Sequence, residues 1–338
     1  MICPTPTALA ATLTLLAAPF LPAPAHADVA EAVTQNILPG YAGFAKATAA
    51  LSDAAAADCT PAALRPAWND AFDAWLSVVH LRLGPVEVKG RALAIAYWPD
   101  PKAIGARQLA EITAAANPAL TTPEGMAQVS VAAKGFFGLE RLLYGPDYGA
   151  DSYDCALTRA MTKDLAATAA AVTAEWGSAG SGGYADLLLT AGQPENLTFL
   201  TIDEARQALF TQLITGIEFV KDQRLGRPLG TFEKPRPERA EALASGRPLH
   251  NVVVSLDGLN RFADALGGPA PLADAAFAHA LTLAKALPEP TFQDVTNPAG
   301  RLKVEILQQA VAATAETTLI EIGATLGVSV GFNAADGD

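Results

Sequence analysis

The chain has 338 residues, a formal net charge of −12 and 51% hydrophobic residues against 17% charged ones. So acidic a chain lacks the clustered Lys and Arg that supply most of the affinity for nucleic acid, which excludes that class of partner. An acidic surface serves solubility and tolerates cationic ligands.

Residues 1–27 contain no Lys, Arg, Asp or Glu and close on Ala25-His26-Ala27. An apolar run followed by a small-x-small site reads as a secretory signal, although the basic start of such segments is missing. The run is too short and too interrupted by proline to span a bilayer. Cys3 precedes it and so is no lipoprotein cysteine, which would come after the run. Export, periplasmic or otherwise, leaves a mature chain from Asp28 of about 311 residues, enough for two ordinary domains. It also leaves two cysteines, Cys59 and Cys155. An even count in an oxidising compartment predicts one disulfide, with two buried thiols as the alternative.

Helical periodicity dominates the chain from Val29 onward. Val29 to Ala57 is Ala-rich and amphipathic, and Pro61 opens a helix that carries Leu64, Trp68, Phe72, Trp75, Leu76 and Val79 toward a stop at Gly84-Pro85. Residues 86–97 are less regular. Asp100-Pro101 reads as an N-cap with proline at the first helical position, beginning a helix to Ala116. A further helix is expected from Thr122-Pro123 to Tyr144, and a fifth from Ser152 to Trp176. Gly177 to Gly183 is the best linker or mobile loop in the chain. Beyond it, helices are expected over 201–225, 249–265, 271–286 and 297–326, with a short one near 237–244. No set of alternating strands is present. The fold class is therefore all-α, with two helical-bundle domains at 28–183 and 184–338 after a signal at 1–27. A faint echo, Arg82-Leu-Gly-Pro85 and Arg224-Leu-Gly-Arg-Pro228, suggests that the two bundles are related.

The segment Gly135-Phe136-Phe137-Gly138-Leu139-Glu140 is apolar apart from one carboxylate and is succeeded by Leu142-Leu143-Tyr144-Gly145. An ionised Glu140 among Phe136, Leu139 and Leu143 is costly unless paired or hydrogen-bonded. It reads either as one end of an internal ion pair with Arg82, Arg107 or Arg141, or as a ligand or acid–base group in a pocket. His80 lies near a helix end, where an imidazole is usually structural, but it is a candidate metal ligand from a second element. His250 and His279 lack acidic or thiol neighbours at ligand spacing. Asp336 and Asp338 form an acidic end suited to a hard cation, with solvated terminal residues as the plainer explanation. Pairings of Glu241 with Arg247, and of Arg82 with Asp100, are expected as clamps or pocket walls. The sequence holds no His-Glu-x-x-His, Cys-x-x-Cys or phosphate loop.

The segment from Gly135 to Gly145 resembles the signature of the imelysin family, Gly-x-His-x-x-Glu with a Leu-Leu-aromatic-Gly ending, with Phe137 at the histidine position. Tyr97-Trp98-Pro99-Asp100, the stretch Glu241-Ala-Leu-Ala-Ser245-Gly246-Arg247 and the closing Gly331-Phe332-Asn333-Ala-Ala-Asp336-Gly337-Asp338 resemble further family motifs, in order. The resemblance implies an exported, two-domain helical protein associated with iron acquisition, with a site between the domains. Gly135, Phe137, Glu140, Arg82, Asp100, Glu241, Arg247 and Asp336 are the candidate ligand-binding residues, and Glu140 and His80 the candidate metal ligands. The implied cofactor is a divalent metal ion, iron or zinc, its hold weakened because Phe137 brings no donor to the face it shares with Glu140. The reading is thus a binding or scaffold protein for a metal ion or small ligand, with an envelope protein as a second partner and no transmembrane helix in the mature chain. Two alternatives stay open: a metallopeptidase of the imelysin type, and a metal-independent binder of an acidic or sugar ligand through Arg82, Arg107 and Arg247. A hydrolase needs an activated water, and Phe137 removes the most obvious ligand for the metal that would activate it. Export itself has a direct check: the intact mass of secreted protein should match a chain that begins at Asp28.

Overall fold

The computed structural model describes residues 27–328, so the expected signal segment up to His26 and the closing Gly-Phe-Asn motif with Asp336 lie outside the described residues. Helix α1 (Val29–Glu31), capped by Asp28, runs through a π-helical stretch (Ala32–Ile37) into α2 (Leu38–Ala57). Next come α3 (Pro61–Leu76), α4 (Arg91–Ile95), α5 (Ile104–Ala115), α6 (Pro123–Met126), α7 (Gly135–Leu143), α8 (Tyr153–Trp176) and α9 (Tyr184–Leu189). The second half supplies α10 (Ile202–Phe219), α11 (Gly226–Leu229), α12 (Pro248–Gly267), α13 (Pro271–Ala286) and α14 (Pro298–Leu326). No strand occurs among the described residues, and none of their helices is long and apolar enough to cross a membrane.

The long helices sit where caps and periodicity place them. Ser152 accepts from the N–H of Cys155, Thr201 from that of Glu204 and Asn297 from that of Gly300, so each satisfies a helix-start donor that has no partner within the helix. The stretch 122–144 departs from expectation. It divides into α6, a 3₁₀ turn (Val131–Ala133) and α7, and Gly135 at φ +66° starts the last of these rather than continuing a helix. A Cβ at Gly135 would come within 2.3 Å of the carbonyl oxygens of Ala94 and Ile95, so only glycine lets the chain turn there against α4. Likewise α3 ends at Leu76, and His80 lies beyond it in a turn.

Helices α2, α3, α7 and α8 pack together around an aromatic cluster, in which Phe72 stacks on Phe136 at 4.7 Å and Trp68 sits against Phe72 at 5.2 Å. Helices α10, α12, α13 and α14 form a second packed set. The Gly177–Gly183 loop is held by the Asp186 carboxylate, which accepts from the N–H groups of Gly180 and Gly182. The short α9 beyond it packs on α1 and α8. The two sets share one continuous buried cluster. Helix α12 reaches α3 and the π-helical stretch, and a Cβ at Gly258 would lie 2.8 Å from the Ser77 carbonyl oxygen, so the absent side chain permits that approach.

Cys59 and Cys155 are joined by a disulfide between the start of α3 and the start of α8, with Cα atoms 5.3 Å apart across 96 residues of sequence. Both cysteines are fully buried. Closing so long a loop restricts the unfolded chain, so the Cys59→Ala, Cys155→Ala double variant should lose about 2–4 kcal/mol of stability. Urea unfolding against the oxidised wild type checks this, and equal midpoints would show that the bridge is thermodynamically idle.

Candidate functional site

Helix α7 has apolar residues on every side, so its one carboxylate is carried inward with them: Glu140 is 6% exposed. Its Oε1 accepts two hydrogen bonds from one residue, the Ser245 backbone N–H at 2.9 Å and the Ser245 hydroxyl at 2.7 Å. None of the expected arginine partners pairs with it. Arg141 is the closest in effect, a neighbouring positive charge whose Nη1 donates to the Phe137 carbonyl and whose Nη2 lies 3.6 Å from Asp100. Burial pushes the Glu140 pKa up from its ordinary 4.5; the Ser245 bonds and the Arg141 charge pull against that, and Glu241 adds to it.

Ser245 is presented by a tight turn. Its hydroxyl oxygen also lies 3.0 Å from Ala242 O, so its single proton is shared between that carbonyl and Glu140, and the Arg247 N–H returns to the same carbonyl at 3.2 Å. Ala242 takes φ +50°, a left-handed conformation that a residue with a Cβ adopts only when its surroundings hold it there. The turn is anchored by a buried polar chain. Glu241 pairs with Arg224, Nε to Oε2 at 2.6 Å and Nη2 to Oε1 at 3.3 Å, and takes a third bond from Asn251 Nδ2 at 3.0 Å. Asn251 Oδ1 accepts from Arg247 Nε at 3.1 Å, and the other Arg247 nitrogens bind Asn69 and Asp73 on α3. The Arg247 guanidinium lies over Phe72 at 5.3 Å, and His250 Nε2 contacts the Asp73 carboxylate at 2.9 Å. His250 is thus part of the anchor.

Two expected pairings are therefore corrected. Glu241 pairs with Arg224 and reaches Arg247 only through Asn251. Arg82 pairs with Glu87, while Asp100 faces Arg141 and accepts from the N–H groups of Ile104 and Gly105 at 2.8 and 2.9 Å, capping α5 three residues later than its sequence position suggests. Asp100, Phe137 and Glu140 do come together, in a cleft of about 540 Å³ that Trp98, Arg141, Arg227, Glu238 and Arg239 also line. Arg82 and His80 line a different cavity, of about 70 Å³, between the turn after α3 and helices α10 and α12. Ser245, Arg224 and Arg227 are residues of the candidate site that sequence reasoning missed. The Ser-Gly of the 241–247 stretch was the available signal for the first.

The donor set at Glu140 does not fit a transition metal. Phe137, 4% exposed and packed edge-on to Phe72 at 5.7 Å, has no lone pair to offer. The described residues hold no group of three His, Cys, Asp or Glu side chains able to share an ion. His80 is fully enclosed, and burial, then the Arg261 and Arg224 charges, depress its pKa to about 3. It is a neutral ring in a cavity lined by no carboxylate.

The imelysin family model matches residues 37–318. Iron-regulated protein A of Synechococcus elongatus is 26% identical over 310 residues, covering 84% of this chain and 82% of its own. Among solved structures, an imelysin-like protein from Psychrobacter arcticum superposes with a TM-score of 0.73 at 23% identity, covering 90% of this chain and 96% of its own. An iron-regulated protein A precursor from Parabacteroides distasonis gives 0.69 at 13% identity, covering 88% and 94%. At these identities the two structures speak for the fold.

Glu140 also sets a pH dependence. Its folded pKa lies above 4.5, so the stability that its proton contributes is full below 4.5 and is lost as pH rises through the folded value. Glu140→Gln has no such proton. Denaturant unfolding across pH should therefore show wild type losing stability relative to Glu140→Gln above pH 4.5, and parallel profiles would remove the burial argument.

Proposed function

The chain belongs to the imelysin family, and on that premise we propose that it is an exported binding or scaffold protein of iron or metal-ion handling whose ligand meets the cleft at Glu140. The observation that carries this reading is the Glu140–Ser245 junction: a buried carboxylate from α7, held by a turn 105 residues later in the chain, on the wall of a cleft of small-molecule size. Both halves of the chain build that wall, α7 from the first and α11 with the 238–244 stretch from the second. The iron association is supported by the names of two relatives, and export by the word precursor in one of them and by the leader-like sequence at residues 1–27. A periplasmic setting with an envelope partner protein belongs to the same reading.

The peptidase alternative is less well supported. Hydrolysis needs a metal-bound or base-activated water, and Glu140 stands without a second donor at position 137. Ser245 bonds Glu140, but no imidazole among the described residues lines the cleft beside them to complete a serine-type nucleophile and base set.

The test is substitution at position 137. A histidine there stands one turn before Glu140 on the same face, so Phe137→His should raise affinity for Zn²⁺ or Fe²⁺ about tenfold or more, and Phe137→His with Glu140→Gln should lose the gain. Calorimetric titration reads both. A folded Phe137→His protein that binds no better than wild type would refute the idea that positions 137 and 140 form a weakened metal site. Metal-dependent peptide cleavage by the wild type, abolished in Glu140→Gln, would favour the peptidase.

A further inference from the structure

We propose that the cleft beside Glu140 receives a small polycarboxylate, free or carrying a metal ion, and that Arg227 and Arg239 grip its carboxylate groups. This rests on the reading of the cleft as the binding site and names the chemistry that fits it. Three carboxylates and three arginines line the cleft, yet only Asp100 and Arg141 pair with each other. Asp100 caps α5 and faces Arg141; Glu140 is bonded to Ser245; Glu238 lies 3.4 Å from Arg236, outside the lining. Arg227 and Arg239 have neither an ion-pair partner nor a side-chain hydrogen-bond acceptor among the described residues.

Arg227 is the stronger observation. It lies beyond α10 and its π-helical extension, on the short α11, and its guanidinium sits 5.8 Å above the Trp98 ring. Its Nε is shut off from solvent with no acceptor. Burial, then the positive charge of Arg239, holds its pKa below the usual value. Two cations without an ion-pair partner among the described residues thus share one cleft of a chain whose net charge is −12. An anion between them relieves the repulsion, and planar guanidiniums match carboxylates two hydrogen bonds at a time. Burial also favours the uncharged form of Glu140, which softens the repulsion that an ionised floor would give an incoming anion.

Iron association and a poor donor set are reconciled by the same chemistry. A metal already chelated by a polycarboxylate needs few ligands from the protein, and presents carboxylate oxygens to it. The acidic-ligand alternative therefore relocates from Arg82, Arg107 and Arg247 to Arg227 and Arg239. Arg82 is paired with Glu87, and Arg247 is committed to Asp73, Asn69 and Asn251.

The experiment is calorimetric titration of the mature, metal-stripped protein at low salt with citrate, with the redox-inert Ga³⁺–citrate complex, and with the neutral triamide of citrate. Wild type should bind citrate saturably and ignore the triamide. Arg239→Glu, a change on an exposed side chain, should weaken binding about tenfold or more, as should Arg227→Gln. Thermal melts show that both variants are folded, and Arg239→Glu suffices if Arg227→Gln is not. Tighter binding of Ga³⁺–citrate assigns the cleft to the metal complex, and equal binding to the free acid. Failure of both ligands to bind, or equal binding by wild type and Arg239→Glu, overturns the inference. If citrate fails while Phe137→His gains metal affinity, the polycarboxylate reading falls and the binding reading stands.

Discussion

A carboxylate buried in an apolar helix must be given hydrogen-bond donors, and no side chain of the helix that carries Glu140 donates to it. Its neighbours there are phenylalanine and leucine, and Arg141 turns to Phe137 O and Asp100. The donors come from Ser245, in the other half of the chain, twice over. That requirement ties the 241–247 turn to α7. Burying a polar group unpaired costs on the order of 1–3 kcal/mol, and more for a charge. The turn can meet the requirement only if it is itself fixed, and the Arg224–Glu241–Asn251–Arg247–Asp73 chain fixes it. Buried networks of this kind are high-stakes: complete, they select one arrangement, and incomplete, they are worse than an apolar core. Each residue of this chain has its partner.

Beneath that polar junction lies an aromatic floor. Phe72, Phe136 and Trp68 pack with one another, and Arg247 spans them with its guanidinium while its nitrogens reach outward to Asp73, Asn69 and Asn251. Phe137 joins the edge of this floor at Phe72 and also lines the cleft. The residue at the position where the family signature places a histidine thus belongs to packing as much as to the cleft. A side chain that buries apolar area on one side and faces a ligand on the other can change the site's chemistry without unbuilding the fold, because the backbone of α7 is set by Gly135 and by Phe136, Leu139 and Leu143.

The range of each interaction decides what was legible in the sequence. Helices α3, α8, α13 and α14 were readable because proline or a capping side chain marks the start and apolar residues recur every three or four positions. The stretch 122–144 was not, because its apolar content is helical in period while Gly135 must take a left-handed conformation to pass α4, a tertiary demand. Glu140 was legible as a buried carboxylate from its neighbours alone. Its partner was not, since no local pattern says which of many distant donors will arrive. Proximity in sequence or motif favours Glu241–Arg247 and Arg82–Asp100 pairs. The structure instead gives Glu241 to Arg224 and Asp100 to a helix start.

The echo between Arg82-Leu-Gly-Pro85 and Arg224-Leu-Gly-Arg-Pro228 shows how similar words acquire different meanings. Both arginines line the 70 Å³ cavity around His80, one from each half of the chain. Arg82 stays half-exposed against Glu87, whereas Arg224 is buried and bound to Glu241. The difference is the company each helix end keeps, since only the second leads into a turn that supplies a buried acid. Net charge misleads in the same way. A total of −12 describes the average surface, but a cleft gathers whatever side chains its walls happen to carry, and low-dielectric walls strengthen the field of those few. The acidic average argues against nucleic acid as a partner. It says nothing about the two arginines that line this cleft without an ion-pair partner among the described residues.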